Sequence, residues 1–175
     1  MMLHSSVTTI ADLVLASSSS DILDEDVKNG SFRVAAVTSS APVNVTIASQ
    51  PVSSILTLSA VTNHGDVNVA LPPAYEGKFT LVTGKGGESS VIKNDAALDP
   101  EGKERKRFVD VKKLFGGIAT GIVKWVDADA DDDLVKEQME WEAELLDVLG
   151  PWAEWSPQSH VELVTVGADN TLFLT

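Results

Sequence analysis

The chain contains no cysteine among its 175 residues. Disulfide bridges, thiolate metal sites and cysteine nucleophiles are therefore excluded, and the absence fits a reducing compartment. It also lacks any apolar run near the roughly 18 residues of a membrane-spanning helix, and its first residues lack the basic region and apolar run of a signal peptide. We expect a soluble protein without membrane insertion, and the simplest prediction is either a mature chain or a cytoplasmic location.

Positive charge is scarce. The chain has 13 lysines and arginines against 26 aspartates and glutamates, which gives a formal net charge of -13 at pH 7. Residues 95–175 hold 18 of the acids and 8 of the bases, so most of the imbalance lies in the second half. Nucleic acids and anionic lipid surfaces are bound through basic patches. We therefore expect neither of them to be a partner.

What the chain does have is a recurring pattern of strand, polar turn and strand. The pattern occupies 37–47, 61–71 and 164–174, and looser copies begin at residues 7 and 82. In the central copy the turn is Asn63-His64-Gly65-Asp66, and the flanking segments alternate apolar and polar residues. We expect Gly65 to be required by the backbone conformation of the turn. Repeats of this kind predict an all-β architecture, either a β-solenoid-like or a sandwich-like stack of short strands.

One amphipathic α-helix is predicted in a late insertion. Acidic residues stand at the start of the segment at about 131–149, and Gly150-Pro151 ends it. Its apolar stripe, expected to dock on the β core, consists of Leu134, Trp141, Leu145, Val148 and Leu149. The basic cluster Lys103–Arg107 is predicted to be a solvated loop that pairs with the acidic helix. The chain is then a single β-repeat domain over 1–175, with 95–160 as an insertion.

Three short segments carry a family resemblance. They are VTNHGDVNV at 61–69, LPPAYEG at 71–77 and VELVTVG at 161–167. Together they resemble a fungal family without an assigned function, similar in style to bacterial adhesin-like domains built on Thr-x-x-Gly-Asp-Val-x-Val repeats. The resemblance covers roughly 30–94 and 160–175, and it implies a β-solenoid or a strongly twisted β-sheet stack. It implies no catalytic residues.

Alternating carboxylates at Asp127, Asp129 and Asp131 are typical of the start of a calcium loop. The pattern then departs from that loop, because Asp132 stands where glycine is needed and Gln138 stands where a bidentate glutamate closes the site. A solvated acidic helix entry therefore accounts better for the run, and calcium binding is the alternative. Calcium is the one cofactor that the sequence suggests, with these three aspartates as the metal ligands.

A ligand-binding site is suggested by His64 and Asp66 in the central turn and by Trp152 and Trp155 in the late segment. Tryptophans beside acidic residues are typical of sugar sites and of protein interfaces. The alternative is that the histidine is an ordinary surface residue and that the tryptophans pack on the core.

The function predicted from these patterns is non-enzymatic. We expect an adhesin-like binding or structural module that meets another protein or a second copy of itself, because a β stack has end strands that must be capped or used. The alternative is a carbohydrate- or calcium-dependent lectin-like module. A hydrolase ranks third, since no Gly-x-Ser-x-Gly elbow or paired carboxylate spacing supports it.

Overall fold

The computed structural model describes residues 9–14, 30–52, 54–94, 96–113, 117–137 and 159–175. Within these residues, eleven strands form two sheets, so the predicted mainly β fold is confirmed. The strands are β1 (Thr9–Val14), β2 (Ser31–Thr38), β3 (Val43–Ser49), β4 (Ile55–Thr62), β5 (Val67–Leu71), β6 (Gly77–Thr83), β7 (Ser89–Lys93), β8 (Arg105–Lys113), β9 (Ile118–Asp127), β10 (Ser159–Thr165) and β11 (Asn170–Leu174).

Four strand-arc-strand units build most of the fold. Each unit sends its first strand to one sheet, called sheet B, and its second strand to the facing sheet, called sheet A. In stacking order they are unit 1 (β2–β3), unit 2 (β4–β5), unit 3 (β10–β11) and unit 4 (β6–β7), and neighbouring units pair in parallel register. The recurring sequence pattern therefore corresponds to this structural unit.

The core lies between the two sheets and follows the alternation of the strands. In β4, Leu56, Leu58 and Ala60 are 0%, 1% and 0% exposed, whereas the residues between them are half-buried. The facing strand β5 buries Val67, Val69 and Leu71 completely. Alternate side chains of a strand point to opposite faces, so a period of two in the sequence produces one apolar face per strand.

The order of the units in the stack differs from their order in the chain. Unit 3 is the C-terminal unit, yet β10 pairs with both β4 and β6, and β11 pairs with both β5 and β7. The last residues of the chain thus supply a central strand to each sheet.

The antiparallel strands β8 and β9 extend sheet B beyond β6. They belong to the predicted insertion. The prediction of a solvated loop at Lys103–Arg107 holds for the exposed residues 103 and 104 and is wrong for 105–107, because β8 begins at Arg105. The guanidinium of Arg107 lies 5.9 Å from the ring centroid of Trp125 on β9 and donates to the main-chain oxygen of Thr175 at 2.8 Å. The contacts with Trp125 and Thr175 therefore stabilise Arg107 in a strand and not in a solvated loop.

The described helix covers 132–137. Its predicted acidic start is confirmed, since Asp131 precedes it and its carboxylate accepts the N–H of Asp133 at 2.9 Å. Leu134, the first residue of the predicted stripe, is 65% exposed and does not pack on the core. The other stripe residues lie outside the described residues. In the part of the chain that the structure describes, no helix has the length and apolarity needed to cross a membrane.

Candidate functional site

The arcs, which connect the two strands of each unit, stack along one side of the fold. A threonine ends the first strand of every unit, and register places these residues in one column: Thr38, Thr62, Thr165 and Thr83. The hydroxyl of Thr62 donates to the carbonyl of Ala41 at 3.1 Å, and that of Thr165 donates to the carbonyl of Gly65 at 3.0 Å. The repeated Val-Thr start of the sequence pattern thus marks a hydroxyl hydrogen bond, which connects unit 2 to the arc of unit 1 and unit 3 to the arc of unit 2.

His64 and Asp66 lie exposed in the arc of unit 2. The carboxylate of Asp66 accepts the N–H of Asp169 at 3.3 Å, and the carboxylate of Asp169 accepts the N–H of Glu88 at 2.9 Å. These acids therefore join neighbouring arcs, a role that the sequence did not indicate. The predicted partners Trp152 and Trp155 lie outside the described residues, so a ligand site that combines them with the arc stays a prediction.

Asp127, Asp129 and Asp131 follow one another at the end of β9 and are all exposed. Within the described ranges, no three His, Cys, Asp or Glu side chains are grouped so that they could hold a metal ion. Asp131 caps the helix start. The predicted pairing of basic cluster and acidic run is confirmed, because the ammonium of Lys106 lies 2.8 Å from the carboxylate of Asp132. Calcium binding by the run stays a prediction.

The end of the stack at β2 is the least complete part of the described core. Three residues of β2 pack against the core but remain half-buried: Phe32, Val34 and Ala36. Their register partners in β4, which are Leu56, Leu58 and Ala60, are at most 1% exposed. The rows of apolar side chains are therefore covered at β4 and open at β2. Val37 on the opposite face of β2 is 73% exposed.

The backbone of β2 also has one side that no described strand occupies. The N–H of Ile55 donates to the carbonyl of Gly30 at 3.0 Å, and hydrogen bonding in a parallel pair alternates from residue to residue. The N–H and C=O groups of residues 32, 34 and 36 therefore point toward β4, and those of residues 31, 33, 35 and 37 point away from it. No strand in the described parts of the chain pairs with that outer edge.

The opposite edge of sheet B has a different chemistry. Strand β8 carries six charged residues among its nine, whereas β2 carries one among its eight. Charged side chains, lysine above all, are the usual protection of an edge strand against pairing with another chain. By this criterion β8 is protected and β2 is a receptive edge.

The region beside β8 is further secured by polar contacts to the connection between β5 and β6. The indole N–H of Trp125 donates to the carbonyl of Pro73 at 2.9 Å, and the hydroxyl of Tyr75 donates to the carbonyl of Lys78 at 2.6 Å. Burial raises the pKa of Tyr75. Burial also lowers the pKa of Arg107, and the negative charge of Glu76 acts in the opposite direction. These groups belong to the structural framework of the stack, so of the two edges of sheet B the β2 edge is the candidate site.

The chain matches no protein-family model, no curated protein and no solved structure. The resemblance to adhesin-like repeat proteins therefore stays a prediction carried by the three segments that suggested it.

Proposed function

We propose that the protein is a non-enzymatic binding module, adhesin-like in the sense of a β stack that holds another protein chain at its end strand. The observation that carries this proposal is the outer edge of β2, which no described strand occupies, where core-facing residues are half-buried and main-chain groups point away from β4. The partner is another protein or a second copy of this chain.

Two contributions would drive binding at this edge. A strand laid beside β2 forms main-chain hydrogen bonds with residues 31, 33, 35 and 37, each contributing about 0.5–1.5 kcal/mol net. It also covers Phe32, Val34 and Ala36 with its own alternate side chains, at about 25 cal/mol per Å² of apolar surface removed from water. The main-chain hydrogen bonds supply affinity for any extended segment, and the contacts with Phe32, Val34 and Ala36 select among segments by their side chains.

A peptide titration tests the proposal. The probe is a fluorescent peptide with the β4 sequence 54–62 and two added lysines for solubility, because this sequence already pairs with β2 on its other side. We expect saturable binding, measured by anisotropy, and no binding of the same peptide with proline in place of its central leucine. A wild-type protein that binds neither peptide contradicts the proposal.

Two neighbouring alanines of β2 provide a matched pair of variants. The N–H of Ala35 points to the open edge, whereas the N–H of Ala36 points to β4. Ala35→Pro should weaken peptide binding at least about tenfold and leave the melting temperature nearly unchanged, because proline is tolerated where the edge N–H is free. Ala36→Pro should lower the melting temperature clearly. If Ala35→Pro is as destabilising as Ala36→Pro, the chain's own residues occupy the edge and the proposal fails.

A further inference from the structure

The two sheets do not end together at the β2 side of the stack. Strand β1 pairs with the outer edge of β3, and β3 and β2 belong to the same unit. Among the described strands, sheet A therefore reaches one strand further than sheet B at this side. Among the described strands, the place beside β2 is bounded by the outer edge of β2 in sheet B and faced by β1 in sheet A. We call this place the β2 groove.

We infer that the β2 groove takes a single extended segment of a partner protein and not the edge of a second folded copy. This inference rests on the proposed function and specifies its ligand. A copy that paired its own β2 here about a two-fold axis perpendicular to sheet B would carry its β1 on the same side. The two β1 strands would then compete for one position, because sheets pack only about 10 Å apart and strands lie about 4.8 Å apart. A lone segment has no second layer and avoids this collision.

The residues around the groove define the chemistry of the segment. Its length is that of the strand it accompanies, and β2 has eight residues. Continuation of the core rows calls for large aliphatic residues beside Phe32 and Val34 and a small residue beside Ala36, as in β4. On the opposite face the exposed Arg33 is the single charged residue of β2, so an acidic residue belongs in its row. The ligand is thus an extended, alternating segment with one carboxylate.

Exchanging the charges of Arg33 and of the peptide residue beside it tests whether an acidic residue of the segment lies next to Arg33. Thr57 is the register partner of Arg33, so position 57 of the β4-sequence peptide is the position to vary. At low salt the wild type should bind a peptide with Asp at position 57 about threefold more tightly than one with Lys there, and Arg33→Glu should reverse this order. Lys85, which is exposed in the arc of unit 4, offers the control Lys85→Glu, expected to preserve the wild-type order. An order of peptide affinities that Arg33→Glu leaves unchanged overturns the assigned register and the carboxylate.

Size-exclusion chromatography with light scattering tests the single-segment assignment. The wild-type chain should remain monomeric over a wide range of protein concentration and bind the peptide one to one. A dimer that Ala35→Pro abolishes would overturn this inference while leaving the β2 edge as a binding site, because a folded copy would then occupy it. A chain that neither dimerises nor binds the peptide refutes the proposed function itself.

Discussion

At the scale of the residue, Gly65 lies where the arc of unit 2 closely approaches the arc of unit 1. An added Cβ at this position would stand 2.6 Å from both the carbonyl carbon and the carbonyl oxygen of Ala41. The glycines with positive φ in the described residues are Gly77, Gly86, Gly102, Gly117 and Gly167. Gly65 is therefore required by the close approach of the neighbouring unit, and the expected reason, a special backbone conformation, is wrong.

Gly65→Ala should consequently lower the free energy of unfolding by about 1–3 kcal/mol, because the atoms that would have to move belong to the backbone. Asn63→Ala in the same arc is exposed and serves as the control, with a change within about 0.5 kcal/mol. Urea unfolding measures both variants. Wild-type stability of Gly65→Ala would show that the arcs are spaced more widely than described.

Asp99 organises the loop before β8 through one carboxylate. It receives the Nε and Nη2 groups of Arg105 at 2.9 and 2.8 Å, and also the N–H groups of Glu101 and Lys103, both at 3.0 Å. The side-chain bond from Arg105 is the largest of the effects that hold the pKa of Asp99 well below its usual range.

The depressed pKa of Asp99 predicts a defined pH dependence. Its stabilising effect is fully present above the unfolded-state pKa of about 3.9 and is lost as pH falls through the lower folded-state pKa. Asp99→Asn should therefore have a lower melting temperature than the wild type at pH 7, and the difference should shrink below about pH 4. Asp129→Asn, at an exposed carboxylate of the acidic run, is the control with the same change of charge. A difference that stays constant with pH would contradict the assigned ion pair.

At the scale of the element, the threonines of the repeated Val-Thr dipeptide form hydrogen bonds between neighbouring units. Thr62 is 0% exposed and Thr165 is 1% exposed, so their hydroxyls and the carbonyls they contact exchange little with water. A buried acceptor that loses its donor costs about 1–3 kcal/mol. The column therefore stabilises the arcs that carry His64 and Asp66.

Thr62→Val should lower the free energy of unfolding by about 1–2 kcal/mol, because it keeps the shape of the side chain and removes the donor to Ala41. Thr57→Val, on the outward face of the same strand and half-buried, is the matched control with little expected change. Denaturant unfolding monitored by tryptophan fluorescence provides the comparison. Equal effects at both positions would mean that the hydroxyl bond does not contribute.

At the scale of the whole molecule, the central place of unit 3 makes the stack cooperative. In a linear repeat array the last unit has one neighbour and opens first. Here the last unit of the chain has a neighbour on both sides in both sheets, so its removal would take one pairing partner away from each of β4, β5, β6 and β7.

Hydrogen exchange should therefore place the amides of β10 in the same slow class as those of β4, at the free energy of global unfolding. Leu163, which is 0% exposed on β10, offers a second measurement: Leu163→Ala should cost about 2–5 kcal/mol. Leu98→Ala is the control, since Leu98 is 83% exposed. Early exchange of β10 alone would show that unit 3 detaches independently of the other units.

The sequence by itself determined the features that depend on local periodicity. Alternation in segments such as 54–62 set the apolar faces, the Val-Thr repeats marked the units, and Asp131 marked the helix start. Each of these follows from the geometry of a single strand or a single turn, so no contact distant in sequence is needed to recognise it.

Only the tertiary structure decided how the units are ordered and which of the described strands lie at the edges of the sheets. Parallel pairing is compatible with many orders of similar units, so nothing local places unit 3 between units 2 and 4. The charged strand β8 was missed because its bases find partners distant in sequence, such as Thr175 for Arg107. The open edge of β2 likewise depends on what lies beside it, and a strand's own residues do not record whether a neighbour is present.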